Sequence, residues 1–186
     1  MRRVRLIASL VTTLFAALTP LTALPQAPPP PASRIANAAA AGPVTIGRQA
    51  TILAWPEEPA TEFTVLRPGS SRWFCIADDA TVPGNDAACG DEAWLRWYHA
   101  YLRNTAPPPV TALGVGYMLT LDVFASNTDP FATDSTATNQ WHKPAPHVML
   151  LLPAPLLATF PTIPHDGAPY VMYPDTPYAH LMVPTR

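Results

Sequence analysis

The chain has 186 residues, including 25 prolines, and carries a formal net charge of −2 at pH 7. A chain of this length is expected to form one domain. The sequence contains no polybasic run that could bind a phosphate backbone, so we expect no nucleic-acid partner.

The N-terminal segment predicts that the protein is exported. A basic start, "MRRVR", precedes the uncharged apolar stretch "LIASLVTTLFAALTPLTAL", and a segment rich in proline and alanine follows. This order is typical of a signal peptide, which we assign to residues 1–27, followed by a disordered spacer at 28–43. The protein is then expected in the periplasm or outside the cell, with a single folded domain at 44–186.

The alternative interpretation of this segment is an uncleaved membrane anchor, because the stretch from Leu6 to Leu24 is just long enough to cross a bilayer. Pro20 and four threonines weaken it as a permanent span. We therefore expect membrane contact only through this segment, and only if it is retained. Cleavage removes three of the eleven basic residues, which leaves eight against thirteen acidic ones and a net charge of −5.

Predicted strands and one helix alternate with turns along the folded part. The segments "QATILAW", "EFTVLR" and "SRWFCIA" alternate or run apolar in the manner of strands. The segment "DEAWLRWYHAYLR" then places Trp94, Trp97, Tyr98 and Tyr101 at helical spacing. We predict an amphipathic helix at about 91–103 whose aromatic stripe packs in the core.

Of the two cysteines, Cys75 lies in the last of these strands and Cys89 lies just before the helix. An even cysteine count in an exported chain usually means a disulfide, which here closes a loop with thirteen residues between its ends. A redox or metal-binding pair is the alternative, but the pair is not Cys-x-x-Cys and no histidine lies nearby.

The second half of the chain predicts four more strands, within "GVGYMLTLDVF", "HVMLLL", "PYVMYP" and "AHLMVP". Between the first two lies the polar segment 126–146, whose length is typical of a functional or mobile loop. Together the elements predict an α+β fold, in which a mainly antiparallel sheet of six or seven strands carries one helix.

Over roughly Arg67 to Pro184 the chain resembles a group of small exported bacterial proteins of unknown function. The resemblance rests on "LRPGSSRWFC", "PGNDAACGDEAW", "GYML", "PHVM" and "PYAHLMVP". It implies export, and it assigns no activity, cofactor or residue role.

The pattern His-x-Met occurs in two predicted strands, as His147 with Met149 and as His180 with Met182. Residues two apart share a face of a strand, so each pair lies opposite a set of aliphatic residues, which we expect to face the core. If the strands pair antiparallel with His147 opposite Met182, then Met149 lies opposite His180 and the four side chains converge.

Two imidazoles and two thioethers form a soft, uncharged ligand set that favours Cu(I). The competing interpretation is core packing, because "VMLLL" is apolar throughout and methionine is an adaptable core residue. Either histidine could also serve as the general base of a small hydrolase beside segment 126–146, although no Gly-x-Ser-x-Gly or His-Glu-x-x-His motif is present.

Two further groups of residues are candidates for binding. The acidic residues around the disulfide loop are candidate calcium ligands, but their spacing does not match an EF-hand. Turns and helix caps use the same residue types. These residues are Asp78, Asp79, Asn85, Asp86, Asp91 and Glu92. Trp141 and His142, at the end of segment 126–146, either contact a ligand or tether the segment to the sheet.

The sequence therefore favours an exported, disulfide-stabilised binding or interaction module of unknown ligand and partner. A periplasmic Cu(I)-binding protein that uses the two His-x-Met strands is the second hypothesis, and a small hydrolase is the third.

Overall fold

A computed structural model describes residues 31–57, 59–164 and 167–185. The predicted signal peptide at 1–27, and with it the alternative membrane anchor, lies outside these residues. Within the described part, no helix is both long and apolar enough to span a bilayer. The helices and strands, in chain order, are α1 (Pro31–Ala40), α2 (Val44–Gln49), β1 (Thr51–Ala54), β2 (Thr64–Arg67), β3 (Phe74–Ile76), β4 (Ala88–Gly90), α3 (Glu92–Leu102), β5 (Gly114–Met118), β6 (His147–Leu151), α4 (Ala154–Leu157), β7 (Tyr170–Met172) and β8 (His180–Pro184).

The strands form one mixed sheet in the order β2-β1-β3-β4-β5-β6-β8-β7. Strands β1 and β3 pair parallel, and the other neighbours in the described sheet pair antiparallel. The predicted α+β class is confirmed, although the sheet has eight strands where six or seven were expected. Helix α3 covers one face of the sheet, which we call the α3 face, and its core is the larger of the two sides. Helices α1, α2 and α4 cover the opposite face, the α1 face.

Helix α3 is held close to the sheet at its first turn. Asp91 is the N-cap, and its Oδ1 accepts hydrogen bonds from the backbone N–H groups of Ala93 and Trp94 at 3.0 and 3.2 Å. Its Oδ2 accepts from the N–H of Val115 on β5 at 2.9 Å, so one carboxylate joins the helix to the sheet. Directly beneath lies Gly90, where an added Cβ would come within 2.6 Å of the Cβ of Trp94. The absent side chain is what lets the helix approach this strand.

We predict that Asp91→Ala lowers the free energy of unfolding by about 2 kcal/mol, because it removes the cap and the hydrogen bond to the part-buried N–H of Val115. Chemical denaturation measures this change. Glu92→Ala is the matched control, since it removes an exposed carboxylate one residue later and is expected to cost less than about 1 kcal/mol. Equal losses in the two variants would contradict the role assigned to Asp91.

The predicted disordered spacer at 28–43 is wrong for the part that the structure describes. Residues 31–40 form α1, and Ala38 and Ala41 are fully buried on the α1 face. The carbonyl of Ala41 accepts a hydrogen bond from the N–H of Leu119 at 2.9 Å, which fixes the end of α1 to the sheet. Alanine is the strongest helix former and its small side chain allows close packing, so the same composition that suggests a spacer also makes a docked helix.

The predicted disulfide between Cys75 and Cys89 is confirmed. The two residues are direct partners in the antiparallel pair of β3 and β4, and both are fully buried beneath α1. A disulfide of this kind persists in an oxidising compartment, which supports the expected location outside the cytosol.

We expect the double variant Cys75→Ala, Cys89→Ala to be about 3 kcal/mol less stable than the wild type, because the bond closes a loop with a sequence separation of 14 residues. Denaturant titration under non-reducing conditions gives the difference. The native wild type should also keep its bond in millimolar dithiothreitol, since both sulfur atoms are buried; a rapid mass increase of the folded protein would contradict this placement.

Candidate functional site

The two His-x-Met strands, β6 and β8, are neighbours and pair antiparallel. Met149 lies opposite Met182, and His147 lies opposite Pro184. The predicted register, with His147 opposite Met182, is therefore wrong by two residues. A shift of two keeps the same side chains on the same face, so all four predicted residues still share one face of the sheet.

That face is the α3 face, which corrects a second expectation. The aliphatic side chains of β6 and β8 were expected to face the main core, with the histidines and methionines turned away from it. Instead Met149 and Met182 belong to the core beneath α3, while Leu181 packs with Leu157 of α4 on the α1 face. Both faces of these central strands are covered, so an aliphatic set on one side does not identify the main core.

The neighbouring strands contribute two further methionines that the sequence analysis missed. Met118 on β5 lies opposite His147, and Met172 on β7 lies opposite His180. Directly opposed residues point to the same face, so these side chains join the same group. A single methionine inside each apolar strand carried no signal of its own. We call the six residues the His/Met cluster: Met118, His147, Met149, Met172, His180 and Met182.

The His/Met cluster lines one cavity of about 220 Å³. The other walls are rings from α3, among them Trp94 and Trp97, and residues 121–132 with Pro144 from the long connection between β5 and β6. We call residues 121–146 of that connection the covering segment. All four methionines of the described chain therefore border a single cavity, together with two histidines.

His147 presents an unpartnered nitrogen in this cavity. The side chain is 1% exposed, and its Nδ1 lies 2.7 Å from the carbonyl oxygen of Ala145. Because a carbonyl can only accept, Nδ1 carries the proton and Nε2 keeps its lone pair. Nε2 is buried and has no hydrogen-bond partner among the described residues. Burial lowers the pKa of His147 to about 4, so the ring is neutral at pH 7.

His180 is held in the same way at the other end of the cluster. It is 3% exposed, and its Nδ1 donates to the carbonyl of Tyr178 at 3.0 Å. The rings of Trp94, Trp97 and Tyr173 surround it edge to face, with centroids 5.1, 5.7 and 5.6 Å away. Burial is the main cause that lowers its pKa to about 4, and the electrostatic effect of His147 contributes to the same shift. Both imidazoles are therefore neutral at pH 7 and fixed in orientation.

The covering segment is tied down by buried polar side chains. Ser126 and Asn127 are at most 2% exposed; the Ser126 hydroxyl donates to the carbonyl of Asn139 at 2.9 Å. The Asn127 amide donates to the carbonyl of Thr162 at 2.7 Å, which links the segment to the piece that precedes β7. These bonds hold the segment over the cavity, so its length serves as a cover.

His142 and Trp141 sit at the end of the covering segment. The backbone of His142 pairs with Ala125, and its Nε2 lies 3.0 Å from the hydroxyl of Tyr170 on β7. This contact joins the end of the covering segment to β7. Trp141 is half-buried and lies outside the residues that line the cavity.

The acidic residues around the disulfide loop use their carboxylates on backbone N–H groups. Asp78 accepts from the N–H of Asp86, and Asp86 accepts from the N–H of Asp79, both at 2.8 Å. Asp91 is the cap of α3. Among the described residues, no group of three or more His, Cys, Asp or Glu side chains is placed to hold a metal ion. The structure thus lends no support to the calcium hypothesis.

The hydrolase hypothesis is also weakened by the low pKa values of the two buried histidines. A general base works best when its pKa lies near the operating pH, and both His147 and His180 have pKa values of about 4.

No protein-family model matches the chain, and no curated protein or solved structure is detectably similar to it, so the functional argument rests on the cavity itself.

The buried histidines predict a loss of stability in acid. His147 has a pKa of about 4 when folded and about 6.5 when unfolded, so the unfolded state binds more protons between these values. The contribution of the neutral His147 ring to the free energy of unfolding is present above pH 6.5 and is lost as the pH falls towards 4. We expect it to amount to about 3 kcal/mol.

His147→Asn tests this prediction, because an asparagine amide can keep the bond to Ala145 while Nε2 disappears. Between pH 7 and pH 4 the wild type should lose about 3 kcal/mol more than the variant, measured by urea unfolding. The comparison is needed because burial raises the pKa of Asp86 to about 7, which gives an opposite trend in both proteins. Parallel curves for the two proteins would refute the assigned role of His147.

Proposed function

We propose that the protein is an exported, disulfide-stabilised module that binds the soft monovalent cation Cu(I) in the cavity beneath the covering segment. One observation carries the proposal: the unprotonated Nε2 of His147 is buried without a partner, in a cavity that all the described methionines border. Leaving such a nitrogen unpaired costs about 1 to 3 kcal/mol, so a ligand that accepts its lone pair relieves a real penalty.

The donor set matches a soft ion. Thioether and imidazole ligands select Cu(I), whereas calcium and magnesium require several oxygen ligands. The position of the methionines around His147 fits this choice. Met118 lies directly across from it on β5, Met149 is two residues along its own strand, and Met182 lies diagonally across on β8. Side chains at such positions have Cβ atoms about 5 to 8 Å apart, within reach of flexible thioethers.

The charge of the cavity also favours a singly charged ion. The His/Met cluster is neutral, so a bound ion brings its full charge into a region of low dielectric, and that cost rises with the square of the charge. Asp86 lines the same cavity, and burial raises its pKa to about 7. A bound cation lowers that pKa and favours the ionised carboxylate, which offsets part of the charge that the ion brings into the cavity.

Core packing alone explains the methionines but not the nitrogen. Methionine fills irregular cores well, and four of them in one core need no ligand. Most buried ring nitrogens in proteins are paired or solvated. The indole N–H groups of Trp94 and Trp97 line the same cavity and also lack a partner among the described residues, but as donors they cannot bind a cation. Cysteine ligands do not enter the argument, because both cysteines of the chain are in the disulfide. Any Cu(I) affinity of the protein must therefore come from histidine and methionine.

Competition with a chromophoric Cu(I) chelator under anaerobic, ascorbate-reduced conditions tests the proposal. The purified protein should withdraw Cu(I) from bicinchoninate, and His147→Asn should weaken the affinity at least tenfold, since one charge-neutral nitrogen donor is lost. The matched control is His99→Asn, because His99 lies on α3 outside the His/Met cluster and does not line the cavity. Retention of all Cu(I) by the chelator, or equal weakening by both variants, would overturn the proposal.

A further inference from the structure

The His/Met cluster has an internal two-fold symmetry. In an antiparallel pair of strands, a local two-fold axis passes between any two directly opposed residues. Met149 and Met182 are opposed in this way at the centre of the cluster. His147 precedes Met149 by two residues, and His180 precedes Met182 by two residues. The axis therefore relates the two histidines, which lie at opposite ends of the cluster.

The symmetry extends to the outer strands. In the sheet order, β5 flanks β6 and β7 flanks β8, so the axis also relates β5 to β7. Met118 on β5 lies opposite His147, and Met172 on β7 lies opposite His180. Each histidine thus has one methionine directly across and one two residues along its own strand. The cluster consists of two equivalent half-sites that meet at the central methionine pair.

The two histidines occupy backbone positions at opposite ends of the cluster. His180 lies at the level of Leu151, four residues along β6 from His147, which corresponds to about 13 Å along the strands. By position in the sheet, each histidine is nearer to its own two methionines than to the other histidine. A single ion bound between the histidines would leave the flanking residues Met118 and Met172 without a role, whereas one ion in each half-site uses all six side chains.

We infer that the His/Met cluster holds two Cu(I) ions in symmetry-related half-sites, one on His147 with Met118 and Met149 and one on His180 with Met172 and Met182. This inference rests on the proposed function and adds the number of ions, their positions and the role of His180.

The surroundings of the half-sites differ, so the two ions bind with different affinity. The His147 half-site lies under the covering segment and has the unpartnered Nε2. The His180 half-site lies under α3, where the rings of Trp94, Trp97 and Tyr173 enclose the imidazole. Two unit charges on the order of 10 Å apart repel each other, which weakens the second ion about tenfold at an effective dielectric constant of about 20.

Stoichiometry measured by anaerobic titration and native mass spectrometry tests the inference, with Ag(I) as a redox-inert probe beside Cu(I). The wild type should bind two ions. Met118→Leu and Met172→Leu should each bind one, because leucine keeps the packing volume and removes a single thioether. These two variants control for each other, since each leaves the opposite half-site intact.

Double variants separate the half-sites further. Met118→Leu with His147→Asn alters one half-site twice and should still bind one ion, whereas Met118→Leu with His180→Asn alters both and should bind none at the same concentrations. Near-UV circular dichroism confirms that each variant is folded. The wild-type stoichiometry decides the inference even if a double variant fails to fold.

The outcomes distinguish the inference from the proposed function. One ion per wild-type molecule overturns the pair of half-sites and leaves the proposed function standing. No ion overturns both. Two ions in the wild type that persist in the cross-site double variant overturn the assignment of the half-sites to these residues.

Discussion

The register between β6 and β8 determines which side chains fill the core beneath α3. With Met149 opposite Met182, the α3 face receives every histidine and methionine of the two strands, and Leu150, Leu181 and Val183 go to the α1 face. A slip of one residue would exchange these sets and bring Leu150 and Leu181 beneath the aromatic rings of α3. The chemistry of the cavity, the orientation of both imidazoles and the fit of α3 all depend on this alignment.

The local features were predictable from the sequence, and the long-range alignment was not. The aromatic stripe of α3 is a pattern within thirteen residues, and Asp91 at its start is a recognisable cap. The disulfide followed from an even cysteine count and an exported chain. The observed register of β6 and β8 differs from the predicted one by two residues. Registers two residues apart place the same side chains on the same face, so the hydrophobic pattern does not distinguish them. The chain between the two strands is also too long to fix the register.

The same reasoning explains which residues of the candidate site were missed. Met118 and Met172 enter the cluster only because β5 and β7 are the outer neighbours of the central pair, and a strand order with a crossover is not visible in a hydrophobic pattern. Helix α1 was missed for a different reason. Its alanines bury little surface each, so whether they form a docked helix depends on a complementary surface elsewhere in the fold, which composition does not reveal.

Helix α1 also constrains the order in which the molecule matures. It lies over the bonded sulfur atoms so closely that a Cβ at Gly42, just beyond its end, would come within 2.9 Å of Cys89 Sγ. Thiol–disulfide exchange needs a third sulfur in line with the bond, and the docked helix leaves no room for one. Oxidation must therefore precede docking: β3 and β4 align, the bond forms, and the helix closes over it. Helix α1 is thus synthesised before β3 and β4 but settles after them, and it seals the bond from later exchange.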